Sequence, residues 1–190
     1  MDNGAINAQL VNLFYRFLTF VSCSKPDAVS IGFVGGLTGR ASDLGIHSRN
    51  GMILAIEEAN KAGGLNGLPI QYILKDDKQD AGRVKLMVQE LIEAEVDAIV
   101  GPTTSSMGVE VASLASDASI PMFGTTVVTD ILSDQDDYFF RTVASTNSST
   151  RHFADFIFEN VPIKNFAIVS DLSNKAYTHS WKEDFTEAMA

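Results

Sequence analysis

The sequence predicts an α/β fold built on a doubly wound parallel sheet. Two observations carry this. Short apolar runs alternate along the chain with stretches whose apolar residues recur at helical spacing. Glycine, asparagine and aspartate punctuate the joints between them. A repeated strand–helix order needs right-handed crossovers, which lay helices on both faces of a parallel sheet.

The elements follow in order. Val29 to Val34 (VSIGFV) is the first strand, and a long loop from Gly35 to His47 is expected after it. Ser48 caps a helix running to about Lys61, with Met52, Ile53, Ile56 and Ala59 on its apolar face. Gly63 and Gly64 end it, because glycine tolerates the left-handed conformation. Ile70 to Leu74 is the second strand. Asp80 caps the next helix, whose face is Val84, Met87, Val88, Leu91 and Ile92. Ala98 to Val100 is a third strand, followed by a helix over about Ser105–Ala118. Pro121 to Phe123 and Tyr138 to Arg141 are the fourth and fifth strands. A helix over about Ser148–Asn160, a sixth strand at Phe166 to Val169 and a helix from Ser180 to Met189 complete the pattern. The polar, small-residue stretch from Thr142 to Thr150 reads as a domain boundary.

Ligands of open parallel sheets bind beyond the carboxyl ends of the strands. Three loops on that edge are rich in glycine and hydroxyls: Gly35 to Asp43, Thr103 to Ser106, and Gly124 to Thr126. Each alone is ordinary turn and cap chemistry. Together on one edge they suit a small polar ligand. Thr103, Thr104 and Ser105 also open a helix, whose free N–H groups favour an anion such as a carboxylate.

Other chemistries find little support. The net charge of −10, from 24 acidic and 14 basic residues, disfavours nucleic acid as a partner. Neither G-x-G-x-x-G nor G-x-x-x-x-G-K-[ST] occurs, and the long first loop is expected to be unsuited to a phosphate turn. Asp76, Asp77 and Asp80 lie among lysines and lack the calcium-loop pattern, so they read as a solvated turn with a helix cap. No nucleophile elbow is present, and His47, His152 and His179 read as surface or loop residues. The expectation is therefore no catalytic residue, no metal and no cofactor.

The first 28 residues read as a leader and linker. An apolar run from Ala8 to Ser22, broken by Arg16, is too short to span a bilayer. It reads either as a degenerate secretion signal or as an amphipathic leader. Ser22-Cys23 resembles the end of a lipoprotein cleavage box, which makes Cys23 a candidate lipidation site.

Several motifs together carry a family resemblance. They are Phe33 to Gly39, Asn50-Gly51, Ala55 to Asn60 with Gly63 to Gly67, Leu74 to Asp77, Ile99 to Pro102 with Thr104 to Ser106, and Tyr138 to Thr142. In order and spacing they resemble the type I periplasmic solute-binding proteins of the leucine/isoleucine/valine-binding kind, from Val29 to the C-terminus. That resemblance implies Rossmann-like lobes that close on a ligand without chemistry. The first lobe would be residues 29–142 and a partial second lobe 143–190. It implies an extracytoplasmic receptor, periplasmic or lipid-anchored, that hands a branched-chain amino acid or similar small carboxylate to a membrane permease and ATPase. A sensory input domain, or less readily a Rossmann-type enzyme, is the alternative. By the same resemblance Ser105 holds the ligand carboxylate, and Thr103 and Thr104 lie beside it. The Thr126 backbone meets the amino group, and Tyr177 is the aromatic residue of the first second-lobe loop. Val128 and Leu44 stand where relatives usually carry a threonine and often an aromatic residue, which unsettles leucine as the ligand. The segment after Thr142 is expected to be loosely held.

Overall fold

The computed structural model describes residues 27–162 and 165–190. The leader, its apolar run and Cys23 lie outside them. Five parallel strands form one sheet: β1 (Val29–Gly35), β2 (Ile70–Asp76), β3 (Ala98–Val100), β4 (Met122–Gly124) and β5 (Phe139–Arg141). Their order is β2-β1-β3-β4-β5. The order reverses between β1 and β3, the crevice at which open sheets take ligands.

The helices are α1 (Ser42–Lys61), α2 (Ala81–Glu93), α3 (Ser105–Asp117), α4 (Thr146–Asn160) and α5 (Lys175–Ala188). Successive β1 side chains point to opposite faces. Phe33 is buried with Met52 and Ile56 of α1. Val34 is buried in the larger core with α2 and α3. The α2 residues Val84, Met87, Val88 and Leu91 are all buried there. Four such side chains contribute roughly 6–12 kcal/mol of transfer free energy, which holds α2 to the sheet.

Two departures from expectation shape the site. Helix α1 begins at Ser42, not Ser48, so the expected long loop shrinks to the few residues after Gly35. The early turns carry Gly45, a residue of low helix propensity. In the fold a Cβ there would fall 2.0 Å from the Gly36 carbonyl oxygen, so glycine lets the helix press onto the loop. The loop after β1 is therefore not too long for a phosphate turn, contrary to expectation, although the phosphate motifs are absent from the sequence.

Phe166 to Val169 is not a strand. Among the described residues no strand lies beside it, and Val169 is 97% exposed. An extended segment with no ladder partner gains no sheet hydrogen bonds. The last helix also starts five residues earlier than expected, at Lys175. Tyr177 is thus in its first turn rather than in a loop. Helix α5 packs on α4 through Phe153, Trp181 and Phe185, and Phe166 meets Phe185 edge-on at 5.8 Å.

Candidate functional site

Three loops meet over the carboxyl edge at the crevice. After β3, Gly101 has φ +111°, and a Cβ on it would lie 1.9 Å from the Val34 carbonyl oxygen. Only glycine lets the loop turn so close to β1. Thr103 follows, wholly buried, with a hydroxyl that has no partner among the described residues. Its carbonyl accepts from the Thr126 hydroxyl, joining the β3 and β4 loops. The Thr104 hydroxyl donates to Gln79 Oε1 at 2.9 Å. Ser105 is buried, and its Oγ accepts from the Val128 N–H at 3.2 Å.

A cleft of about 340 Å³ opens here. It brings together five of the seven ligand residues expected from sequence: Leu44, Thr103, Thr126, Val128 and Tyr177. Thr104 and Ser105 stand beside it, turned toward Gln79 and Val128. Four further residues line it: Thr146, Ser149, Asn174 and Trp181. Thr146 and Ser149 lie in the stretch whose small polar residues read as a boundary. Their signal was composition alone, which a linker shares. Trp181 follows Tyr177 by four residues, so both project from one face of α5. That pairing was legible only if the helix had been started early enough.

The N-terminus of α3 is already engaged. Asn174 Oδ1 accepts from the Ser106 N–H at 3.0 Å, and Ser106 Oγ accepts from the Ala176 N–H at 3.1 Å. The Thr129 and Ser180 hydroxyls pair at 2.8 Å. The α5 segment is thus pinned to the sheet edge by polar contacts as well as by the aromatic cluster.

Electrostatics separate two neighbourhoods. Among the described residues, none that lines the 340 Å³ cleft is charged. A second, more open cavity of about 630 Å³ is lined by Asp130, Asp134, Arg141 and Asp184. There Asp130 accepts from the Thr146 hydroxyl at 2.7 Å and the Asn147 N–H at 2.9 Å. Burial works to raise its carboxyl, yet these donors, with Ser145 and Asp184, hold it below the ordinary value. Burial and the neighbouring Asp130 push Asp184 up.

The histidines take the surface places expected of them. His179 pairs with Glu183 at 3.1 Å in solvent, and exposed His152 meets the Ser148 carbonyl. Asp80 caps α2, accepting from the Arg83 N–H at 2.7 Å. Asp77 departs from the expected solvated turn: it is wholly buried. Burial pushes its carboxyl up against the pull of the Gln79 N–H, and the charge of Asp76 adds to the rise.

Known proteins resemble the chain in sequence and in fold. The chain is 27% identical over 146 residues to the leucine-, isoleucine-, valine-, threonine- and alanine-binding protein of Pseudomonas aeruginosa, covering 76% of this chain and 39% of that protein. It is 24% identical over 159 residues to the Leu/Ile/Val-binding protein homolog 3 of Brucella melitensis, covering 83% and 43%. The chain thus spans about two fifths of the length of these relatives. Among solved structures it is similar to the branched-chain amino acid transporter substrate binding protein LivJ from Streptococcus pneumoniae in complex with isoleucine. That match has a TM-score of 0.78 at 25% identity, over 85% of this chain and 46% of that one. The family model described as periplasmic binding protein matches residues 28–190, and the chain belongs to that family.

Proposed function

We propose that this chain carries the ligand-gripping lobe of an extracytoplasmic solute-binding protein. Residues 29–142 form that lobe, and residues 143–190 begin the second. The protein takes up a branched-chain amino acid or a similar small carboxylate, such as an aromatic acid, and delivers it unchanged to a membrane permease and ATPase. The observation that supports this is the convergence of Leu44, Thr103, Thr126, Val128 and Tyr177, from distant parts of the sequence, on one cleft. The names of the curated relatives point the same way.

In this assignment hydroxyls bind and apolar walls select. Ser105, with its Oγ held by the Val128 amide, offers its hydroxyl hydrogen to the ligand carboxylate. Thr103 and Thr126 supply further polar contacts at the floor. Leu44, Val128, Tyr177 and Trp181 enclose the apolar part, the usual division of labour in small-molecule sites. Trp181 is the single tryptophan, so its emission reports on the cleft directly. Titrating the chain with isoleucine, leucine, valine and benzoate should give a saturable change in that emission. The change should be weakened at least tenfold by Ser105→Ala. Flat titrations with all four would overturn the assignment. The cell-envelope location includes lipidation of Cys23, and labelling with a radioactive fatty acid should be lost in Cys23→Ala. Label that persists in the variant would remove the anchor.

A further inference from the structure

The turn that follows β2 holds an arrangement that helix capping does not account for. Lys78 and Gln79 both lie in the left-handed region, at φ 52° and 59°. Neither is glycine, and a Cβ makes that conformation unfavourable. Two aspartates hold the turn there. Asp76 Oδ1 accepts from the Lys78 N–H at 3.0 Å, and Asp77 Oδ1 accepts from the Gln79 N–H at 2.8 Å.

The turn reaches two loops at once. The Asp76 carboxylate accepts from the Leu37 N–H at 2.8 Å and from the Thr38 hydroxyl at 2.6 Å, gripping the loop after β1. Buried Asp77 donates its own N–H to the Gly35 carbonyl at 3.1 Å. Gln79 accepts from the Thr104 hydroxyl at the start of α3. The same amide lies against the first loop, since a Cβ on Gly36 would sit 2.5 Å from Gln79 Nε2. A polar wedge therefore stands between the loop leading to Leu44 and the loop carrying Thr103 to Ser105. None of its members lines the cleft.

We propose that Asp76, Asp77 and Gln79 are positioning residues for the ligand cleft, a clamp that sets the spacing of the β1 and β3 loops. Their effect on ligand affinity rests on the cleft being the ligand site, as proposed above. The clamp explains why the strained position 79 carries a side chain: the Gln79 amide is what spans the two loops.

Gln79→Gly separates this role from ordinary stability, because glycine relaxes the left-handed position while deleting the amide. The test uses the full chain, with hydrogen exchange read by mass spectrometry and isoleucine binding read by calorimetry. In Gln79→Gly the melting temperature should not fall. Exchange should accelerate at least tenfold in residues 103–107, and isoleucine affinity should drop at least tenfold. Asp76→Ala should instead accelerate exchange in residues 36–38. A Gln79→Gly chain with exchange at 103–107 and isoleucine affinity within twofold of the parent overturns the clamp. A lower melting temperature with faster exchange throughout the sheet also overturns it, because the residue then serves only the fold. If the parent chain does not bind isoleucine, the ligand assignment is what fails for that solute. The exchange pattern of the two variants then decides the clamp by itself.

Discussion

Ser105 shows how one side chain answers to two demands. Its hydroxyl is the proposed ligand contact, and its buried oxygen also accepts from the half-buried Val128 amide. Removing it leaves that N–H without its partner, a loss of about 1–3 kcal/mol. Ser105→Ala should therefore lower the melting temperature of the unliganded chain by several degrees, at roughly 2–4 °C per kcal/mol for a domain of this size. An unchanged melt would mean that the Val128 contact contributes nothing. Asp184 makes the opposite case. Burial and the adjacent Asp130 raise its folded pKa above the ordinary 3.8. The folded state then holds a proton that the unfolded state has released. Stability falls as pH rises from 3.8 through the folded value, and the repulsion persists above it. Asp184→Asn removes the charge, so it should raise the melting temperature at pH 7 by about 2 °C, on the scale of a partly exposed charge pair. That gain should vanish near pH 3. A variant that gains equally at both pH values would exclude charge as the cause.

At the scale of elements, α1 illustrates a conflict between propensity and packing. In an isolated helix Gly45→Ala would be favourable by about 1 kcal/mol. Here the new Cβ would lie 2.0 Å from the Gly36 carbonyl oxygen, a backbone atom that can yield only if the loop moves. Packing should win. Gly45→Ala is expected to lower the denaturation midpoint by an amount equivalent to about 1–3 kcal/mol, the usual scale of overpacking. A rise in the midpoint would show that the loop gives way freely. Helix α4 and helix α5 show the converse, a pair that sequence periodicity placed only approximately. Both start earlier than their apolar spacing suggested, because Thr146 and Lys175 open polar first turns that carry no apolar signal.

For the whole molecule, the question is how firmly the last quarter of the chain is held. The boundary read at 142–150 led to the expectation of a loose C-terminal segment. The contacts of α5 argue for a narrower weak point. Asn174 and Ala176 bond to Ser106, Ser180 pairs with Thr129, and Phe185 is buried. Among the described residues, 167–170 have no such ties, and Val169 is 97% exposed, whereas Phe166 meets Phe185 and Asp171 pairs with Arg40 on either side. Limited proteolysis should first cut between 167 and 170, leaving α4 intact. An initial cut before Thr146 would instead support release of the whole segment from the first lobe.

Sequence by itself determined the class of fold, the five parallel strands, the buried face of α2 and the edge of the sheet where ligand chemistry belongs. These are written in local patterns: alternation in strands, helical spacing in α2, an aspartate cap and clusters of hydroxyls beyond strand ends. It also named five residues that share the cleft, through the spacing of motifs that resemble those of a known family. The tertiary structure alone decided the rest. Phe166 to Val169 has strand composition but no ladder partner among the described residues, and a strand exists only as a pair. Gly45 has low helix propensity and serves a close approach, because the Gly36 carbonyl it must avoid is nine residues away in sequence but adjacent in space. Asp76 and Asp77 look like solvent-facing turn residues. Their partners Leu37 and Gly35 come from the end of β1 and the loop after it, so the burial of Asp77 and the grip of both on the site appear only once β1 and β2 lie side by side.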